Sequence, residues 1–129
     1  MKILFAASEA VPFCKTGGLA DVAGSLPQAL AKAGNEVAVI LPLYQRVADK
    51  WKDQMSFVCH IEVPLGWRRL YCGLFRLDRD GVIWYFVDNE YYFKRDTLYG
   101  HYDDGERFGF FSRSVIALLP GMAFMPEII

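Results

Sequence analysis

No stretch of about 18 apolar residues occurs anywhere in the chain, so nothing in it reads as a membrane-spanning helix. The opening run Met1 to Ala7 meets Glu9 too soon for a secretion signal. Cysteine is scarce, and Cys14, Cys59 and Cys72 lack C-x-x-C spacing. That argues against a disulfide framework or a zinc site and fits a reducing, cytoplasmic setting. Histidine is scarcer still: His60 and His101 have no Cys or acidic partner at ligand spacing and read as structural. Charge of one sign is missing too. The 14 basic and 15 acidic residues leave a net charge of −1, so no overall field favours nucleic acid or an anionic membrane. Asp88, Glu90, Asp96, Asp103, Asp104 and Glu106 lack the spacing of a calcium loop, so no metal is expected. Neither G-x-G-x-x-G nor the Walker order of glycine then lysine is present, and no other cofactor is implied. There is no repeat, low-complexity tract or linker.

What is present is apolar: 53% of the 129 residues are hydrophobic, enough for one core and too few residues for two ordinary domains. Residues 2 to 7 predict a strand buried on both faces of a parallel sheet. Leu19, Val22, Ala23, Leu26, Leu30 and Ala33 form a helical stripe, with Pro27 expected to kink or split the helix before Gly34 ends it. Glu36 to Leu41 predicts the second strand. Strand, loop, helix and strand make a βαβ unit, which sets the class as α/β with a parallel sheet.

Beyond it, residues 44 to 53 read as partly helical and 57 to 63 as a strand. Residues 70 to 77 and 82 to 87 flank Asp78-Arg79-Asp80-Gly81 as a β-hairpin expected beside the main sheet. Residues 88 to 102 read as a long loop of functional type. Asp103 and Glu106 form a capping-box spacing for a helix carrying Phe108, Phe111, Val115 and Leu118, which Pro120 ends. Ile128-Ile129 reads as the first step of a further strand, so residue 129 is expected to be a cut in the chain, not a natural domain end.

The stretch from Ser8 to Gly18 carries the chemistry. In an open α/β sheet, ligands sit beyond the carboxyl ends of the strands, where a helix N-terminus offers free N–H groups. Gly17 and Gly18 stand where the first helix begins; lacking Cβ, they allow close backbone approach and unusual dihedrals. Lys15 adds a point charge, and the three suit a diphosphate. A tight strand-to-helix turn with a solvated lysine is the structural alternative. Cys14, beside Lys15, reads as a small loop filler in preference to a reactive thiol. Trp51, Trp67, Trp84 and Tyr91-Tyr92-Phe93 could stack on sugars, which keeps a non-catalytic carbohydrate-binding module in view, although packing is the simpler use. A dinucleotide-binding oxidoreductase is a third class, but Leu41-Pro42 ends the second strand where an acidic ribose ligand belongs.

The string Lys15-Thr16-Gly17-Gly18-Leu19-Ala20-Asp21-Val22, after a strand ending in Ser8-Glu9, resembles the N-terminal signature of the bacterial glycogen synthases and plant starch synthases. The likeness continues through Leu26-Pro27-Gln28-Ala29-Leu30, Val39-Ile40-Leu41-Pro42, Tyr99-Gly100 and Asp104-Gly105-Glu106-Arg107-Phe108 to Pro126-Glu127-Ile128-Ile129. It departs at Lys94-Arg95-Asp96, where relatives commonly carry an Asp-Arg-Pro-like segment. The resemblance implies a glucosyltransferase that moves glucose from ADP-glucose to the non-reducing end of an α-1,4-glucan such as glycogen, with retention of configuration. It also implies two Rossmann-like domains, with residues 1 to 129 part of the N-terminal one and the C-terminal nucleotide-binding domain of the full-length chain as its partner. Carried over, Lys15 and Gly18 contact the diphosphate of ADP-glucose, Asp21 lies near the sugar or acceptor, and Tyr99 lines the cleft. No catalytic residue is implied within these residues, so the chain alone is expected to be inactive.

Overall fold

The computed structural model describes residues 1–129. Five strands form one mixed sheet: β1 (Lys2–Ala6), β2 (Glu36–Pro42), β3 (Ser56–Leu65), β4 (Arg68–Arg79) and β5 (Val82–Asp88), in the order β1-β2-β5-β4-β3. β1, β2 and β5 are parallel, whereas β4 and β3 run antiparallel to their neighbours. The helices are α1 (Gly18–Lys32), α2 (Gln45–Trp51), α3 (Glu90–Phe93) and α4 (Asp104–Leu118).

The βαβ start is as expected, and its second strand is the core of the molecule: from Val37 to Leu41 every side chain is buried. β1 differs. Only Leu4 is fully covered, because β1 is the edge strand, and what it meets beyond β2 is a single parallel bridge from Ile3 to Ile128. That bridge, with the Leu4 amide donating to the Ile128 carbonyl at 3.0 Å, bears out the strand-like start at Ile128-Ile129.

The hairpin is real but misplaced in the sequence reading. Asp80 and Gly81 take positive φ, 54° and 75°, the requirement of a type I′ turn, which Asp-Gly meets best. The hairpin does not lie beside the sheet, however. Its second strand, β5, pairs with β2 and occupies the middle. The long-loop expectation for residues 88 to 102 also yields in part: Asn89 caps α3 by accepting from the Tyr92 amide, and Tyr92, Phe93 and Leu98 are buried.

Helix α1 is continuous through Pro27 and neither splits nor ends there. The side chains of Ser25 and Gln28 donate to the carbonyls of Asp21 and Gly24, reinforcing the turns on either side of the lost N–H. It stops in a Schellman arrangement, with Gly34 at φ 99° donating to Ala31 and Asn35 donating to Leu30. The buried face shares only Ala23 with the apolar stripe read from the sequence. Ala20, Ala23, Gly24 and Pro27 face inward, while Leu19, Val22 and Leu26 stand 50%, 53% and 41% exposed. Proximity decides this: small residues let the helix axis lie against the loop at residues 10 to 14, and a leucine there would not fit. Val11 donates its amide to the Ala20 carbonyl at 3.0 Å, over Gly24.

A Cβ on Gly24 would lie 2.3 Å from Val11 Cγ2 and 2.6 Å from its carbonyl oxygen. Gly24→Ala should therefore destabilise the chain by about 1–3 kcal/mol despite the better helix propensity of alanine. Urea unfolding is the measurement, and a variant as stable as the parent would mean that the loop yields.

Candidate functional site

The residues singled out in the sequence converge beyond the carboxyl end of β1. Glu9 lies at their centre, 3% exposed. Its carboxylate accepts from the Thr16 amide at 2.6 Å, the Thr16 hydroxyl at 2.7 Å, the Gly17 amide at 3.2 Å and the Tyr99 hydroxyl at 2.7 Å. The Tyr99 hydroxyl also lies 2.6 Å from Ser8 Oγ, and buried Tyr44 donates to the Ser8 carbonyl at 2.7 Å. Burial works against the Glu9 charge, but the donors from Thr16, Tyr99 and Gly17 outweigh it and hold the carboxyl down at about 2. Tyr99 is pushed the other way, to about 12, by burial and by the neighbouring carboxylate, despite the contact with Ser8.

Lys15 and Asp21 face each other at the rim, Nζ 2.9 Å from both carboxylate oxygens, each side chain more than half exposed. The structure thus brings Lys15, Gly18, Asp21 and Tyr99 into one neighbourhood. Their roles differ from a simple reading of the motif, because the Thr16 and Gly17 amides are already taken by Glu9. The Gly18 amide, at the first position of α1, makes no bond to the rest of the chain.

The two glycines need no unusual dihedrals. Gly17 is extended at φ −163°, and neither is among the residues with positive φ. Nor does packing within the chain require them, since a Cβ on either would meet nothing within 4 Å. Cys14 is buried in the same loop, and desolvation pushes its thiol up to about 11, so it is a filler as expected.

Sequence reasoning missed the supports. Glu9 was visible only as a carboxylate amid the small apolar residues Ala7, Ala10 and Val11, the one signal that could have marked it. Arg107 was hidden in the first turn of α4. It is fully buried between Phe93 and Phe108 and donates to the carbonyls of Tyr92 and Leu98 and to Asp104. Asp104 in turn accepts from the Gly100 and His101 amides. Together they fix the segment that presents Tyr99. The expected capping box does not form: Asp103 pairs with Arg95 instead, and Glu106 with Arg68.

The fold and site define a class: an α/β domain with a helix N-terminus and a Lys15–Asp21 pair grouped beyond the end of its first parallel strand. The family follows from comparison. Residues 2–129 match the model of the starch synthase catalytic domain, and the chain belongs to that family. It is 57% identical over all 129 residues to glycogen synthase of Geobacillus thermodenitrificans and 60% identical over 116 residues, 90% of the chain, to that of Bacillus subtilis. The chain spans 27% and 24% of those two relatives. The catalytic domain of starch synthase IV from Arabidopsis thaliana, solved bound to ADP and acarbose, superposes with a TM-score of 0.82 at 27% identity. That match covers 98% of this chain and 27% of the solved one. Neither the carbohydrate-binding module nor the oxidoreductase is supported by these likenesses, and no helix is long and apolar enough to cross a membrane.

Because the folded-state carboxyl of Glu9 lies below its ordinary 4.5, its contribution is complete above that value and is lost as pH falls from 4.5 through about 2. The difference corresponds to about 3 kcal/mol. Unfolding free energies measured from pH 7 down to pH 2 should fall more steeply for the parent than for Glu9→Gln. Superimposable profiles would show that Glu9 is not the charged anchor.

Proposed function

We propose that the chain supplies the N-terminal half of a donor site for glucosyl transfer from ADP-glucose to an α-1,4-glucan, completed by a C-terminal domain of a longer chain. The observation that carries this reading is the glycine pair. Neither Gly17 nor Gly18 is required by backbone conformation or by internal packing, so the bare surface beside the free Gly18 amide is explained by close approach of something outside the chain. A diphosphate fits: Gly18 donates to a phosphate oxygen, and the ammonium of Lys15 exchanges Asp21 for the incoming anion, leaving the Asp21 carboxylate free toward the sugar.

When the bond from glucose C1 to the diphosphate breaks, the electron pair leaves on a phosphate oxygen, where Gly18 and Lys15 stabilise it, while C1 bonds to the acceptor O4, whose proton passes to the departing diphosphate. Tyr99, held by Glu9 and Ser8, forms part of the wall. The names of the relatives and the ADP and acarbose in the Arabidopsis protein support the assignment. Leu19 and Val22, exposed on the first turns of α1 beside Lys15, suit a facing domain. No group able to act as acid, base or nucleophile at C1 is assigned to residues 1 to 129, so the chain alone has no transfer activity in this reading, and its ADP affinity is on the order of millimolar.

In the complete enzyme, Lys15→Ala should lower kcat/KM for ADP-glucose by about 10- to 150-fold, the equivalent of one charge-assisted phosphate contact. Gly18→Ala should lower turnover while leaving the melting temperature unchanged, since its methyl meets open space. Kinetics of Lys15→Ala within a factor of two of the parent would remove Lys15 from the site.

A further inference from the structure

Two of the three tryptophans, Trp51 and Trp84, lie in the core. The third does not. Trp67 sits at the tip of the β3–β4 hairpin with 88% of its surface exposed, and Tyr91, 56% exposed, lines the same open groove with Arg68, Arg69 and Leu70. Its volume is about 590 Å³. The rest of the chain covers little of the indole, and water is a poor neighbour for that much aromatic surface.

The register of the sheet says where this groove is. Gly73 of β4 pairs with Asp88, the last residue of β5, so β4 from Cys72 back to Arg68 projects past the carboxyl ends of the parallel strands. Five residues of strand carry the hairpin tip about 17 Å beyond that line. Trp67 is therefore at the same end of the molecule as Lys15 and Gly18. In the lateral direction, β1 and β3 are four strand spacings apart, about 19 Å.

The tip is held in place. Arg68 pairs with Glu106 at 2.5 Å, lies 3.4 Å from the Tyr92 hydroxyl and stacks beside the Trp67 ring at 5.2 Å. The Arg68–Glu106 pair cancels its own charge, which leaves Arg69 as the one unpaired cation of the groove and no field for a polyanion.

We propose that Trp67 and Tyr91, with Arg69, form a platform that binds the acceptor glucan at a distance from the transfer site. The apolar C–H face of a glucose ring stacks on the indole, and its hydroxyls accept from the arginine fork and pair with the Tyr91 hydroxyl. The separation calls for a polymer, because only a chain of sugars can touch the platform and the Lys15 neighbourhood at once. Holding a long acceptor by a remote point raises its local concentration at the site without taking part in the chemistry. The identity of the ligand rests on the proposed glucosyltransferase function; the exposed platform and its placement do not.

The test is affinity electrophoresis of the 129-residue chain in gels containing glycogen, with dextran and heparin gels as controls and an ADP titration followed by NMR in parallel. Glycogen should retard the parent, and Trp67→Ala and Tyr91→Ala should each weaken retardation at least about fivefold. The melting temperature and the ADP-induced shifts at Lys15 and Gly18 should stay as in the parent. A parent that glycogen does not retard, a Trp67→Ala variant retarded as strongly as the parent, or equal retardation by heparin would each overturn the platform. Sedimentation showing a dimer that Trp67→Ala dissolves would also overturn it in favour of self-association. Loss of ADP shifts with retention of glycogen binding would count against the donor site alone.

Discussion

A buried negative charge organises this end of the molecule. Glu9 is almost wholly withdrawn from water, a change that costs several kcal/mol unless its lone pairs are met. It is met by two amides and two hydroxyls drawn from segments as far apart as Thr16 and Tyr99. The loop after β1 cannot relax without uncovering a carboxylate, nor can the segment bearing Tyr99. One consequence concerns chemistry: the anchor consumes the Thr16 and Gly17 amides and so leaves Gly18 alone to face outward. A second concerns rigidity: in the proposed transfer, a donor facing a developing charge stabilises it most when it does not have to reorganise.

The support continues outward from Glu9. Tyr99 reaches it because Arg107 and Asp104, paired with each other, bind the backbone of residues 98, 100 and 101. Arg107 is itself fully buried between two aromatic rings, an expensive location for a guanidinium that its carbonyl partners and Asp104 offset only in part, since its Nη2 has no hydrogen-bond partner. Two buried ions of opposite sign thus fix two loops that meet over β1 and β2, and Tyr99 joins them.

The sequence revealed what periodicity and punctuation can reveal. The βαβ start, the Asp80-Gly81 turn and the helix stop at Gly34 follow from rules that act within a few residues. The site loop was legible because Lys15, Gly17 and Gly18 are rare neighbours at a strand-to-helix junction, and the family likeness followed from the same string. What remained hidden depends on contacts far along the chain. β5 lies inside the sheet because it pairs with β2, a preference no local pattern records. The inward face of α1 carries Ala20, Ala23, Gly24 and Pro27 because a loop lies close against it, whereas a stripe search favours the larger Leu19, Val22 and Leu26. Glu9 and Arg107 are charged residues in the interior, where hydrophobic patterning points away from them.

The central position of β5 also has a meaning in time. When synthesis has passed Pro42, β1, α1 and β2 can assemble, but the far edge of β2, apolar from Val37 to Leu41, has no partner until Val82 to Asp88 emerge. That wait is about 40 residues, or roughly 2 to 8 s at translation rates of about 5–20 residues per second. For that interval the nascent chain displays the best strand in its core as an unpaired template, a moment at which pairing with a neighbouring chain on the same message competes with its own completion.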